Sequence, residues 1–491
     1  MPAVAKQSRR STVFNAMEYG ARGDFVTDDT AAFNAMFRDA ALQSGGASRG
    51  AHVVIPPPPV SYRITGTIEI NPQGDDTFCS MHVNGYARSD AIQWDGPDNT
   101  PVFLIKGLKF STFHGVSVRP VDGTEGVVVW DMSGDNTWAS LSGVTWSDCL
   151  IGGVGGANNI GWRIGHTSPG ATDFSFLKWI NCRVEWGSLF PGTIGWLNEG
   201  DNSLNHTWVG GWASSLAKGV SNRLTSGAVG TTAGGSSLFF YGLGMGSNEI
   251  DYDFAEHGTY AIVGGRYELG ERFLHSEIHD SGSAGPTITV MGCEIDQYDP
   301  SDGTIFYCVN STNLTVENCT VRRDPSLGDF GNELIKWWGS SGYGQLVVRG
   351  NKFRISDGPF FSKDQAAMPL AVVAEGNVRL NSSVQSIGRF PRIAHETVTV
   401  ASGTYTLNAG DSFVAAATSG GAVTVNLESA ARCGRGHIVT VKDFNGAAAS
   451  NNVTINRNGS DTIQGSASYT ISTNYGVVRL MSDGSATWLV V

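Results

Sequence analysis

An all-β solenoid is the fold class this 491-residue chain predicts, and three observations carry the prediction. The 64 glycines, roughly twice ordinary usage, stand beside only 16% charged residues, which suits many short strands joined by tight turns. Only one segment has the spacing of a helix. A repeat with copies roughly 22 to 33 residues apart runs from about residue 100 to 390, and a period of that size marks a chain that coils. With 41% hydrophobic residues the coil can bury a continuous core. The organisation expected is a polar tail (1–12), a cap (13–70), the solenoid (71–393) and a separate β domain (394–491).

The tail carries Lys6, Arg9 and Arg10 and leads into no apolar run, so neither a secretion leader nor membrane insertion is expected. A net charge of -12 is the wrong sign for a nucleic-acid surface. In the cap, Thr27 or Asp28 can cap a helix in which Phe33, Met36, Phe37, Ala40 and Ala41 recur at helical spacing, until Gly45 and Gly46 end it. Segments 51–56 and 62–70 alternate like strands around the prolines 56–59.

The cap's motif, Tyr19-Gly20-Ala21-Arg22-Gly23-Asp24 followed by Val26-Thr27-Asp28-Asp29-Thr30, with the glycine pair and Val54-Ile55-Pro56-Pro57 further on, resembles the N-terminal signature of the pectate-lyase-like superfamily. That resemblance implies a right-handed parallel β-helix whose open end is covered by the helix.

Within the solenoid the frame apolar-x-(Asn/Gly)-(Cys/Gly/Asn)-x-apolar-x fits the stretches that contain Cys149, Cys182, Gly211, Gly265, Cys293, Cys319 and Asn351, and more weakly 241–246. Four of the seven cysteines therefore share one column as small, buried, unreactive side chains. The odd number and the lack of CxxC spacing disfavour both a disulfide framework and zinc. No metal or cofactor is expected. The Gly-rich run 152–156 lacks the Lys-Ser/Thr of a phosphate loop and is expected to be a turn.

From about residue 396 the composition shifts to Val, Thr, Ala, Gly and Asn. The run Ile438-Val439-Thr440-Val441-Lys442-Asp443-Phe444-Asn445-Gly446, then Val453-Thr454-Ile455 and Asp461-Thr462-Ile463-Gln464-Gly465, resembles a C-terminal module of bacteriophage tail fibres and tailspikes. Together the two resemblances imply a virion tailspike. Its expected partners are a bacterial surface polysaccharide, two further copies in a homotrimer, and a phage tail or adaptor protein.

Equivalent positions of successive β-helix rungs stack at roughly 4.8 Å. Two residues after the cysteine column the outward position holds Glu185, Ser214, Gly246, Glu268, Asp296, Arg322 and Arg354. Glu268 and Asp296 thus fall on neighbouring rungs about 5 Å apart, and two carboxyl groups that close are the equipment of a glycosidase. Tailspikes of the endorhamnosidase type carry one Glu on a rung and two Asp, three residues apart, on the next. That resemblance implies Glu268 as acid, Asp296 as nucleophile or base and Asp299 orienting water.

Expected substrate contacts are Arg183 and Glu185, which repeat the Arg-x-Glu spelling of Arg266 and Glu268 about three rungs earlier. Arg266 itself, Tyr298, and Asp251 and Asp253 from the acidic stretch 249–257 join them. Among 13 tryptophans, Trp186 and Trp212 are expected in a sugar-stacking groove and Trp179 inside the coil. A lyase would instead use Arg266, Arg272, His275 or Tyr267, and a catalytically silent adhesin neither set.

Overall fold

The computed structural model describes residues 13–491 apart from 45–49, 72–77, 87–90, 133–140, 154, 166–173, 200–201, 223–233, 236, 255–257, 277–284, 299–303, 310–311, 324–333, 339–343, 355–360, 364–369, 376, 380–387, 390–396, 408–410 and 434. Two compact units emerge. The first spans Met1–Met368 with Gly376–Gly388, the second Pro369–Glu375 with Arg389–Val491.

The first unit is a parallel β-helix. Each full rung contributes one strand to a 13-stranded sheet and two to a 23-stranded sheet. One such rung is Lys178–Ile180, a corner at Asn181, and then the long strand Arg183–Asn198, which supplies both remaining sides. The same strand pairs rung to rung in parallel, Trp146 on Trp179, Trp179 on Trp208 and Trp208 on Phe240.

The corner explains the Asn/Gly position of the repeat. Asp148, Asn181, Gly210, Gly242, Gly264, Gly292, Asn318 and Gly350 all hold φ between 51° and 67°. Glycine occupies this left-handed region freely, and Asn and Asp are the side chains that tolerate it best. The corner amide then donates to the next rung, as from Asn181 N to Val209 O (2.8 Å) and from Gly264 N to Met291 O (2.8 Å). The next residue turns inward, so Cys149, Cys182, Cys293 and Cys319 are buried free thiols. Burial holds the Cys182 thiol well above its ordinary range. At Gly211 a Cβ would lie 2.2 Å from the Cys182 carbonyl oxygen, so that rung admits no side chain.

Stacked aromatic rings fill the interior. Trp146, Trp179, Trp208 and Phe240 are successive members of one stack, with centroids 5.4, 4.5 and 4.5 Å apart. His206 lies edge-on to Trp179 and Trp208 within this stack, and burial pushes its imidazole down to about 3. At the open end the helix Thr30–Ser44 buries Phe33, Met36, Phe37, Ala40 and Ala41, the stripe its spacing predicts. The first helical bond runs from Phe33 N to Asp29 O (3.1 Å), and Asp28, one residue earlier, accepts from Thr30 N at 3.0 Å.

The second unit packs a six-stranded sheet and a four-stranded sheet around Val414, Val425, Val441, Ile455, Leu480 and Trp488. Its strands pair in parallel from Thr397 to Asn456, and Ser468–Ile471 and Val477–Ser482 then return antiparallel. It is the C-terminal β module in a sandwich-like form.

Candidate functional site

Two outward columns run down the sheet that follows the corner. The first holds Arg183, Trp212, Gly244, Arg266, Glu294, Thr320 and Lys352. Pairing of Trp212 with Gly244 and of Gly246 with Glu268 leaves no slip between these rungs, and Gly244 comes within 3.3 Å of Arg266 O through its Cβ position. The second column, two residues on, holds Glu185, Ser214, Gly246, Glu268 and Asp296. The segment 241–246 therefore forms the corner of a rung of its own, although its spelling is the weakest of the repeats.

Glu268 pairs directly with Asp296, and Arg266 with Glu294. Alternation along Arg266–Glu268 sends Tyr267 inward and leaves both charged neighbours on the surface. Arg266 Nη2 lies 2.9 Å from Glu268 Oε2, and Arg322 Nη1 donates to Glu294 Oε1 (2.9 Å) and Asp296 Oδ2 (3.2 Å). Glu268 is 29% exposed and Asp296 13%, so the second carboxylate sits lower in the surface, under Arg322. Glu294 and Arg322 bind the column together, yet their roles were not legible in the repeat spelling. The pairing of Arg266 with Glu294 across rungs is the signal that could have found Glu294. Tyr298 lies on the strand Glu294–Tyr298; its side chain and all of Asp299 lie outside the described residues.

Further up the same face, Arg183 Nη1 lies 3.7 Å from Glu185 Oε1. These two join Asn181, Gly211 and Trp212 around a cleft of about 340 Å³. Trp212 is the only tryptophan among those with described side chains that is not buried. Its six-membered ring crosses the next rung: a Cβ on Gly244 would meet Cε3 at 2.4 Å, and one on Gly246 would meet Cζ2 at 2.9 Å.

Other expected contacts lie elsewhere. Trp186 is 3% exposed, beneath Gly155, so no sugar can stack on it. The reason is strand alternation: Arg183 and Glu185 face out, hence Val184 and Trp186 face in. Asp251 and Asp253 are fully buried in the strand Ile250–Phe254, not in an acidic loop. Asn248 Nδ2 donates to Asp251 at 2.9 Å. Asp253 receives Lys218 Nζ at 2.5 Å and Ser221 Oγ at 3.2 Å, and faces His275 Nδ1 at 2.9 Å. A buried carboxylate needs such partners to remain charged, and here they come from neighbouring rungs. Beside this cluster, burial and the neighbouring Glu271 raise the Glu249 carboxyl. Tyr267, expected to be available to a lyase, is also buried, its hydroxyl 3.0 Å from that of Tyr252.

No protein-family profile and no curated protein matches the chain. Solved structures do. ORF18 of Geobacillus virus E2 is 13% identical over 76% of this chain, with a TM-score of 0.31, and the chain spans 61% of that protein. Gene product 12 of bacteriophage phi29, in its pre-mature form, is 11% identical over 84% of this chain and 63% of its own, with a TM-score of 0.43. An exopolygalacturonase from Thermotoga maritima is 11% identical over 79% of this chain and 94% of its own, with a TM-score of 0.36. At these identities the likeness is one of fold, and the chain's own ladders define that fold as a parallel β-helix.

Proposed function

We propose that the chain is a bacteriophage tailspike that binds and cleaves a bacterial surface polysaccharide by glycoside hydrolysis. The observation that carries the reading is the direct pairing of Glu268 with Asp296 on an outward face, a few rungs from a partly exposed indole. Adjacent parallel strands put such carboxyl groups about 5 Å apart, the separation of a retaining glycosidase. In this reading Glu268 protonates the departing glycosidic oxygen. Asp296 attacks the anomeric carbon, and Glu268 then deprotonates the water that releases the sugar. Asp299, three residues beyond Asp296, orients that water. Arg266 and Arg322 hold the two carboxylates in place, and Arg183, Glu185 and Trp212 grip the polymer. Attachment to a phage tail or adaptor and assembly as a homotrimer belong to the same reading, and light scattering at three times the chain mass tests the trimer.

Incubation with capsule or lipopolysaccharide from a sensitive host tests the chemistry. Hydrolysis releases reducing ends without ultraviolet absorbance, whereas a lyase leaves an absorbing unsaturated uronate. Normal cleavage by both Glu268→Gln and Asp296→Asn would remove the pair from the mechanism.

One observation favours a second reading, a glycan-binding adhesin. Glu185, Glu268, Glu294 and Asp296 each face a guanidinium, as they would in a purely structural ladder of ion pairs. Retained binding of an intact polymer would establish it.

A further inference from the structure

We propose that the cleft at Asn181, Arg183, Glu185, Gly211 and Trp212 is a sugar subsite in which one pyranose ring stacks on the outer face of Trp212. Gly244 and Gly246 are then binding residues, because they seat that indole. The inference rests on the polysaccharide reading and adds where, and in what direction, the polymer lies.

Outward positions on a β-helix usually carry side chains that stand off the sheet. Gly244 and Gly246 carry none, and both are buried although the alternation of their strand points them outward. What covers them is Trp212. The Cβ site of Gly244 falls 2.4 and 2.5 Å from Cε3 and Cζ3, and that of Gly246 falls 2.9 and 3.6 Å from Cζ2 and Cη2. Four atoms of one six-membered ring thus occupy the space in which the side chains of both positions would stand. The indole stays partly exposed, and a ligand can reach the part that the glycine strand does not cover.

An aromatic face rimmed by a few polar groups is the usual make-up of a sugar site, where C–H groups pack on the ring and hydroxyls bond at its edge. Here the rim is Asn181, Arg183 and Glu185. Arg183 and Asn181 are exposed, and the 3.7 Å between Arg183 and Glu185 leaves both able to bond to hydroxyl groups. Trp212 precedes Glu268 by two rungs and Asp296 by three, about 10 and 14 Å at the spacing of adjacent strands. A chain held at both places runs along the helix axis, and the bond at Glu268 and Asp296 is cut within it.

A microarray of purified bacterial capsular and O-antigen polysaccharides, probed with the full chain carrying Glu268→Gln so that nothing is cleaved, tests the subsite. Adding Trp212→Ala is expected to weaken the bound signal about ten- to a hundredfold, the loss of one well-buried aromatic contact. Gly244→Ala keeps the indole but lifts it from its seat, and is expected to weaken binding several-fold. The double variant is expected to be no worse than Trp212→Ala alone, since the glycine acts only through the ring. Binding unchanged by Trp212→Ala overturns the subsite and leaves the polysaccharide reading standing. A parent that binds no glycan on the array overturns both.

Discussion

The tryptophans inside the coil and the one on its flank do opposite work with the same side chain. Trp146, Trp179 and Trp208 stack face to face on successive rungs, fully buried, and their indole N–H groups have no hydrogen-bond acceptor. Each unpaired donor costs about 1–3 kcal/mol, which the buried ring area offsets. Trp212 instead covers two glycines of the next rung and stays partly exposed, with charged groups lining the same cleft. Interior rings are fixed by neighbours of their own kind. The outer ring fills the space that two absent side chains leave, and part of it stays open to solvent. In a β-helix the function of an aromatic is set by strand parity and by the residue one rung away.

Glu268→Gln and Asp296→Asn should each lower polysaccharide cleavage by orders of magnitude while leaving the thermal midpoint near that of the parent, measured by reducing-end assay and calorimetry. Full stability loss instead would make the pair an interior-like structural element. Trp179→Ala should cost about 3–5 kcal/mol by denaturant unfolding, because it opens a cavity in the stack. Trp179→Phe should cost far less, since it keeps a ring and removes the unpaired N–H.

A third test uses His206, whose folded imidazole titrates near 3 because it is buried between tryptophans. The unfolded chain takes up a proton below the ordinary value of about 6.5 while the folded chain does not. Stability is therefore complete above that value and falls as pH drops towards 3, by up to about 1.4 kcal/mol per pH unit. Urea midpoints for His206→Leu should depend less on pH across this window; an unchanged slope would show that other groups govern acid unfolding. The smallest effect is expected for Trp212→Ala on stability, within about 1 kcal/mol, in contrast to Trp179→Ala. Equal losses would erase the distinction between the two kinds of tryptophan.

Much of the fold was legible because a β-helix writes its geometry as a period. The left-handed corner demands Gly, Asn or Asp, and the inward position after it demands a small residue, so the column of Cys149, Cys182, Cys293 and Cys319 and the neighbouring Glu268 and Asp296 could be aligned without coordinates. The inward position of Trp186 is legible too: if Arg183 and Glu185 point out, the residue after Glu185 points in. Asp251 and Asp253 mark a harder limit. Their acidic neighbourhood resembles a solvated loop, and the groups that neutralise Asp253, Lys218 and His275, stand 35 and 22 positions away on other rungs.

The coil, the cap, the C-terminal module and the membership of each column follow from local turn chemistry and a repeat, so they can be read from the residues alone. Which charges are compensated and which aromatics stay partly exposed is set by contacts between rungs. Those depend on what lies one rung above and below, across gaps in sequence that vary with each loop: Arg322 reaching back to Glu294 and Asp296, and Gly244 and Gly246 lying under Trp212.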